Sequence, residues 1–342
     1  MLRYFFAILF GFLIFFSGCS QRKDFEPKHI SGSIVFNHFL NADLDKTSRV
    51  SATLKNGEVF AQSGKTLLRL KKPSSFINET SDYYILAPDC QNIEVINKNN
   101  QKSQKFSVPT CVIAANIKDS YLAYVLLDNS YGIINMKTGE TKLSDRNSQA
   151  IAVDSLIAQP LFLDTTVVFP MLDGQIVVAS LNSFKIERVV IVNSEHFFSN
   201  VIYLDKKDNN LIAATSKKVI VLSDGKKFEY SANIRDLKFY KNSIYLLTLE
   251  GKIMQLDLTL RVVNEVELPY AIFSGIVITH NKLFTLERLG YLIVLDLDSF
   301  QYQVYTLRNI LGKILDRKIL FYDNHRIYYD RYYLDFLKDW QK

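Results

Sequence analysis

Apolar and polar positions divide the chain into a short leader and a long patterned body. From Tyr4 to Phe16 every residue is apolar except Gly11 and the hydroxyl of Tyr4, and Arg3 is the only charge before residue 22. That run of 13 residues is shorter than the ~20 that a membrane-spanning helix needs. With a basic start it has the form of the apolar core of a secretory signal. Residues 20–30 are polar and carry Pro27, which predicts a flexible tether over 19–30. Beyond them, short runs of Val, Ile, Leu, Tyr and Phe are broken by Asn, Asp, Gly and Lys, the pattern of strand after strand. No window of 12 residues sustains a helical period. The tail from Tyr332 to Trp340 is the one candidate for a short helix, and it fits a last strand equally.

A repeat underlies the strands. Its clearest copy runs Gln159-Pro160-Leu161-Phe162, Thr166-Val167-Val168-Phe169, a turn at Leu172-Asp173-Gly174-Gln175, then Ile176-Val177-Val178-Ala179. The order returns at Ser243–Leu247, Glu250-Gly251, Ile253–Asp257, and again at Lys282–Leu286, Leu289-Gly290, Tyr291–Asp296. With Asn129, Gly174, Lys217, Gly251, Gly290 and Arg331 as marks, the spacings are 45, 43, 34, 39 and 41 residues. Earlier turns near Gly64 and Asp89 fit less regularly. A period of ~40–45 residues with four strands per unit predicts an all-β chain, a β-propeller of four-stranded blades. Such blades cover one another around an axis and leave only short edges exposed. Removing the 18-residue leader leaves 324 of the 342 residues. Eight blades would then average about 40 residues and seven about 46, so eight fits better and seven stays open. The final unit shows three strands, at 318–322, 326–330 and 333–337. Ser33-Ile34-Val35-Phe36-Asn37 is a strand without a unit and is expected to complete that blade, closing a single domain over 31–342.

Composition agrees with a folded body: 48% of residues are hydrophobic and 22% charged, with 24 Phe, 19 Tyr and one Trp. The net charge of +6 is spread over doublets such as Lys71-Lys72, Lys206-Lys207, Lys217-Lys218 and Lys226-Lys227. No concentrated basic face emerges, so nucleic acid is not an expected partner.

Phe16-Ser17-Gly18-Cys19 follows the apolar run and resembles the lipobox of bacterial lipoproteins, with Phe16 in place of the usual Leu. The resemblance implies a signal peptide over 1–18 and acylation of Cys19, because small Ser17 and Gly18 admit the peptidase and the thiol accepts a diacylglycerol. Several acyl chains anchor stably where one does not. Ser20 stands where an Asp would favour the inner membrane, so the expected location is the outer membrane, facing the periplasm, with inner-membrane anchoring as the alternative. The unit from Ile157 to Val192 resembles the repeats of PQQ-type propellers. Gly132–Glu140 is similar to their Thr-Gly turn, with Leu143 where a Trp usually follows. Together with the lipobox, the chain resembles the BamB family of outer-membrane assembly lipoproteins. That likeness implies an eight-bladed scaffold whose partners are the β-barrel assembly machine and its unfolded clients.

Candidate chemistry is sparse. Quinone-dependent dehydrogenases share the repeat, but they need clustered oxygen ligands for Ca²⁺ and a stacking platform. The single Trp lies at 340 and no two Cys are adjacent, so neither an enzyme nor a cofactor is expected. His29, His38, His196, His280 and His325 form no local metal motif. Asp173, Glu250, Asp296 and Asp298 recur at blade turns and read as turn residues rather than acid–base pairs. With Cys19 acylated, Cys90 and Cys111 remain, 21 residues apart, and either pair or stay separate thiols. Tyr322, Tyr328, Tyr329, Tyr332 and Tyr333 are either blade packing beside the closing strand or an aromatic binding surface. The function expected is a membrane-anchored scaffold for protein partners. The alternatives are a ligand-binding or quinone-dependent propeller, and a scaffold of a different envelope assembly.

Overall fold

The computed structural model describes residues 23–150, 156–195, 197–308 and 319–340. Its strands form eight antiparallel blades, which decides between seven and eight. Blades 1 to 7 span 44–69, 75–107, 112–146, 161–191, 203–231, 234–267 and 277–307, and blade 8 joins 320–335 to the strand His38–Phe39. No helix occurs among the described residues.

The apolar pattern follows from the ring. The two middle strands of a blade are covered on both sides by neighbouring blades, so they read as continuous apolar runs. Ser243–Thr248 is buried at all but its first residue, whereas the outermost strand of the same blade, Val262–Glu267, has no buried residue. Alternate side chains of a middle strand enter opposite interfaces. In blade 7, Ile293 and Leu295 pack toward blade 6, and Leu292 and Val294 pack toward blade 8. Eight apolar clusters fill the eight contacts between blades. The core is therefore a wheel of interfaces with no single centre.

The marks of the repeat fall in equivalent places. Asn129, Gly174, Lys217, Gly251, Gly290 and Arg331 all stand between the second and third strands of blades 3 to 8. The equivalent turn of blade 1 holds Gly57; Gly64 opens the fourth strand of that blade. Two faces result from this meander. Face A carries the turns between first and second and between third and fourth strands. Face B carries the turns between second and third strands and the connections between blades.

An N-terminal strand closes the ring, but its placement corrects the expected one. His38–Phe39 pairs antiparallel with Tyr332–Asp335 as the outer strand of blade 8. Gly32–Ile34 instead adds a fifth strand, parallel, to the rim of blade 7 opposite Tyr305–Leu307. Between them Phe36 is 1% exposed and packs against Tyr329 and Tyr332 in the contact of blades 7 and 8. Burying Phe36 fixes the crossing, and only the residues beyond it are free to pair in blade 8. The tail from Tyr332 to Trp340 is a strand to Asp335 followed by turns.

The described part of the expected tether is docked. Phe25 is 5% exposed, sits in the apolar cluster of blades 6 and 7, and meets Tyr291 edge to face. Asp24 pairs with Arg288 at 2.7 Å, and the Lys23 ammonium lies over Tyr270. A single large aromatic in a polar stretch is enough to seat it, since burying such a ring stabilises by ~2 kcal/mol. Residues 1–22, with the expected signal peptide and Cys19, lie outside the described residues.

Candidate functional site: the axial channel

The first strand of every blade, or the residues flanking it, borders a cavity of about 920 Å³ on the ring axis. Backbone edges alone would leave these strands unpaired toward the axis. Polar side chains complete them by bonding from blade to blade. Gln62 donates to the Tyr322 carbonyl at 2.8 Å (blades 1 and 8), and Tyr322 bonds Ser274 of the connection into blade 7. Asp236 accepts from the Ile276 amide at 3.1 Å (blades 6 and 7), and the Tyr203 hydroxyl accepts from the Phe239 amide at 3.1 Å (blades 5 and 6). Asn200 donates to the Leu156 carbonyl at 2.9 Å (blades 5 and 4). Gln159 accepts from the Ala115 amide at 2.9 Å (blades 4 and 3), and Asn78 donates to the Ala115 carbonyl at 2.9 Å (blades 2 and 3). Ser63 donates to Glu79 and joins blades 1 and 2. Every adjacent pair of blades is thus latched beside the axis.

One contact crosses the channel. Arg49, in the first turn of blade 1, pairs with Asp236 of blade 6 at 3.1 Å and donates to the Leu237 carbonyl at 3.1 Å. Its guanidinium also lies 5.2 Å from the Tyr203 ring centre. Arg235 and Lys238 line the same wall. Burial pulls the Lys238 ammonium below its usual range, against the nearby Asp236 charge that favours it. Burial likewise pushes the hydroxyls of Tyr203 and Tyr322 well above the usual phenol range, so both remain neutral hydrogen-bonding groups. Fixed charges and neutral phenols on rigid strands suit binding and positioning.

The expected site residues lie elsewhere. Cys90 and Cys111 are bonded to each other, tying the second-to-third turn of blade 2 to the connection into blade 3 on face B. The Tyr cluster packs blades: Tyr328 and Tyr329 are buried, Tyr333 stacks on His38, and only Tyr322 reaches the channel. His38 bonds Asp339 at 3.0 Å, His29 and His280 are exposed, and His325 lies beside Asp323; His196 is outside the described residues. No group of three His, Cys, Asp or Glu that would hold a metal occurs among the described residues. Asp173, Glu250 and Asp298 stand in turns and Asp296 ends the strand before one; Asp296 accepts from the Ser299 amide at 3.0 Å and Glu250 from Asn233. The channel groups were missed because they come from different blades. The available signal was charge at first-strand positions, as in Arg235-Asp236.

No family model matches the chain. The plasminogen-binding protein PgbB of Helicobacter pylori strain J99 is 38% identical over 385 aligned positions, which cover 97% of this chain and 71% of that protein. The chain belongs to the PgbB family. PgbB of H. pylori strain 26695 is likewise 38% identical, over 97% of this chain and 70% of its own. Among solved structures, BamB from Moraxella catarrhalis superposes with a TM-score of 0.65 at 13% identity, covering 86% of this chain and 97% of that one. The C-terminal WD40 domain of Sif2 gives 0.64 at 11% identity, over 89% and 99%. These likenesses show the propeller and nothing finer. The expected resemblance to BamB therefore holds for the fold, while sequence kinship runs to PgbB.

Proposed function

We propose that this chain is a non-enzymatic propeller, anchored to a membrane through lipid on Cys19, that binds a protein, and that plasminogen is such a protein. The observation that carries the reading is the 38% identity to the plasminogen-binding proteins PgbB over 97% of the chain. The propeller supports it physically: a latched ring holds its surface rigid, so little ordering entropy is lost on binding. The test is biosensor binding of plasminogen to immobilised residues 19–342 carrying Cys19→Ser. Saturable binding supports the reading, and no response above an unrelated propeller refutes it.

The anchor has its own test. Labelled palmitate fed to cells should enter the wild-type chain and not Cys19→Ala. Unlabelled wild type would remove the anchor and leave plasminogen binding standing. Outer-membrane location follows from Ser20 and is read by membrane fractionation. A part in β-barrel assembly is supported by the lipobox pattern and the likeness in fold to BamB, and fold alone does not carry function. Purification from membranes without the barrel-insertion protein would end that second reading.

A further inference from the structure

The two faces of the ring differ in what they expose. Leaving aside the rim, with its N-terminal segment, and the turns after the last strand, five large apolar side chains are exposed on the described faces. They are Leu127, Phe197, Phe198, Leu249 and Tyr270, each 50–56% exposed. All five stand on face B. Leu127 and Leu249 are in second-to-third turns, Phe197 and Phe198 connect blades 4 and 5, and Tyr270 connects blades 6 and 7. They spread over an arc from blade 3 to blade 7. Among its described turns face A carries only Leu337, 39% exposed after the last strand.

The N-terminal segment independently marks the same face. Asp24 is held by Arg288 in the second-to-third turn of blade 7, and Lys23 lies over Tyr270. Four steps of chain separate Lys23 from Cys19, and four residues reach at most ~14 Å even when fully extended. A lipid on Cys19 therefore holds face B against its bilayer. The docking of Phe25 denies the chain the slack that would let the ring turn over.

The geometry points to face B as a lipid-apposed surface, with Leu127, Phe197, Phe198, Leu249 and Tyr270 entering the headgroup region. Face A and the mouth of the channel on that side are thereby presented to protein partners. This rests on the lipid-anchor reading above. Exposed Leu, Phe and Tyr on one face are the side chains that favour a membrane interface. Several basic residues of face B are neutralised within the protein: Arg288 by Asp24 at 2.7 Å, Lys55 by Asp43 at 2.9 Å and Arg146 by Asp128 at 3.7 Å. The surface thus fits a zwitterionic lipid, held by apolar contact more than by charge.

The test uses the acylated full-length mature chain in phosphatidylcholine vesicles that contain a doxyl-labelled lipid quencher. A bimane fluorophore is placed at Leu249→Cys on face B or at Gly225→Cys on face A. Quenching at 249 at least fivefold stronger than at 225 is expected, and it should fall severalfold when Leu127→Asp and Phe198→Asp are added. Equal quenching at the two positions overturns the proposal. So does protection at 249 that appears only when plasminogen is added, since that makes face B a protein surface. Mass spectrometry of Cys19 reads the anchor separately. If it carries no lipid, the same probe pair is read on Cys19→Ser chains held by an N-terminal histidine tag to nickel-chelating lipid. Selective quenching at 249 then sustains the face while the anchor fails, and equal quenching rejects the face.

Discussion

Gly174→Ala and Gly225→Ala form a matched pair that isolates what the face B turns require. Both glycines have positive φ, +83° and +77°, so both alanines carry the cost of left-handed backbone, about 1–2 kcal/mol. Restricting the unfolded chain offsets about 0.5 kcal/mol of that. Their surroundings differ. Gly225 has nothing within 4 Å of an added Cβ. At Gly174 the Cβ would overlap the Asn193 carbonyl and lie 3.1 Å from the Ser199 carbonyl oxygen. That backbone cannot simply withdraw, because the Val192 and Asn193 amides both donate to the Gly174 carbonyl, at 2.9 and 3.1 Å. Forced overlap of this kind adds about 1–3 kcal/mol. The expected losses are therefore ~1 kcal/mol at Gly225 and ~3 kcal/mol at Gly174. Urea unfolding followed by circular dichroism on residues 19–342 with Cys19→Ser reads the difference as a midpoint shift at constant slope. Equal losses would refute the close approach between turn and connection.

Phe36→Ala should cost about 3–5 kcal/mol and lower the melting of the whole ring, because this residue, 1% exposed, seals the contact of blades 7 and 8; a local effect seen only at the N-terminus by hydrogen exchange would contradict closure. Breaking the Cys90–Cys111 bond, which spans 21 residues, should cost about 3 kcal/mol by loop entropy; dithiothreitol should then lower the urea midpoint of the wild type and leave that of the doubly Ser-substituted chain unchanged. Glu287 is 1% exposed, and burial, foremost, raises its carboxyl above the usual range despite amide hydrogens from Leu289 and Ile272. The folded state therefore holds this proton more tightly than the unfolded one, and the stability so contributed is lost as pH rises from the unfolded carboxyl range through the folded one. Glu287→Gln should flatten that part of the pH–stability curve, and an unchanged curve would exclude Glu287 as its source.

The wheel was legible because its forces are local and repeat. Six turn marks, from Asn129 to Arg331, were readable since the second-to-third turn recurs in every blade; at four of them it takes a positive φ under the next connection, supplied by Gly174, Gly251 and Gly290 and by Asn129 at φ 66°. Asn tolerates the left-handed region, and here its side chain also ties blade 3 onward, donating to the Ser148 carbonyl and accepting from the Leu172 amide of blade 4. Blade 1 was misread at Gly64 because Gly57 and Gly64 are two positive-φ glycines only seven residues apart, and composition cannot rank them. The closing strand was misplaced by a few residues for a related reason. Ser33–Asn37 and His38–Phe39 are both short and partly apolar, and only the burial of Phe36 decides which part pairs where.

The channel and the docked tether were not legible, since both depend on residues far apart in the chain. Arg49 meets the Leu237 carbonyl across 188 positions, and Arg288 meets Asp24 across 264. Neither pair has a spacing that a local motif would show. They act on opposite problems of a ring. The latches and the Arg49 crossing fix the blades to one another, whereas the Asp24 and Phe25 contacts fix the N-terminal segment to the ring. A propeller with free blades or a free tether would sample many orientations, and a partner would have to select among them at an entropic cost. With the blades latched and Phe25 seated, the lipid proposed at Cys19 would set which face meets solvent, and the apolar character of the five exposed side chains on face B agrees with that choice.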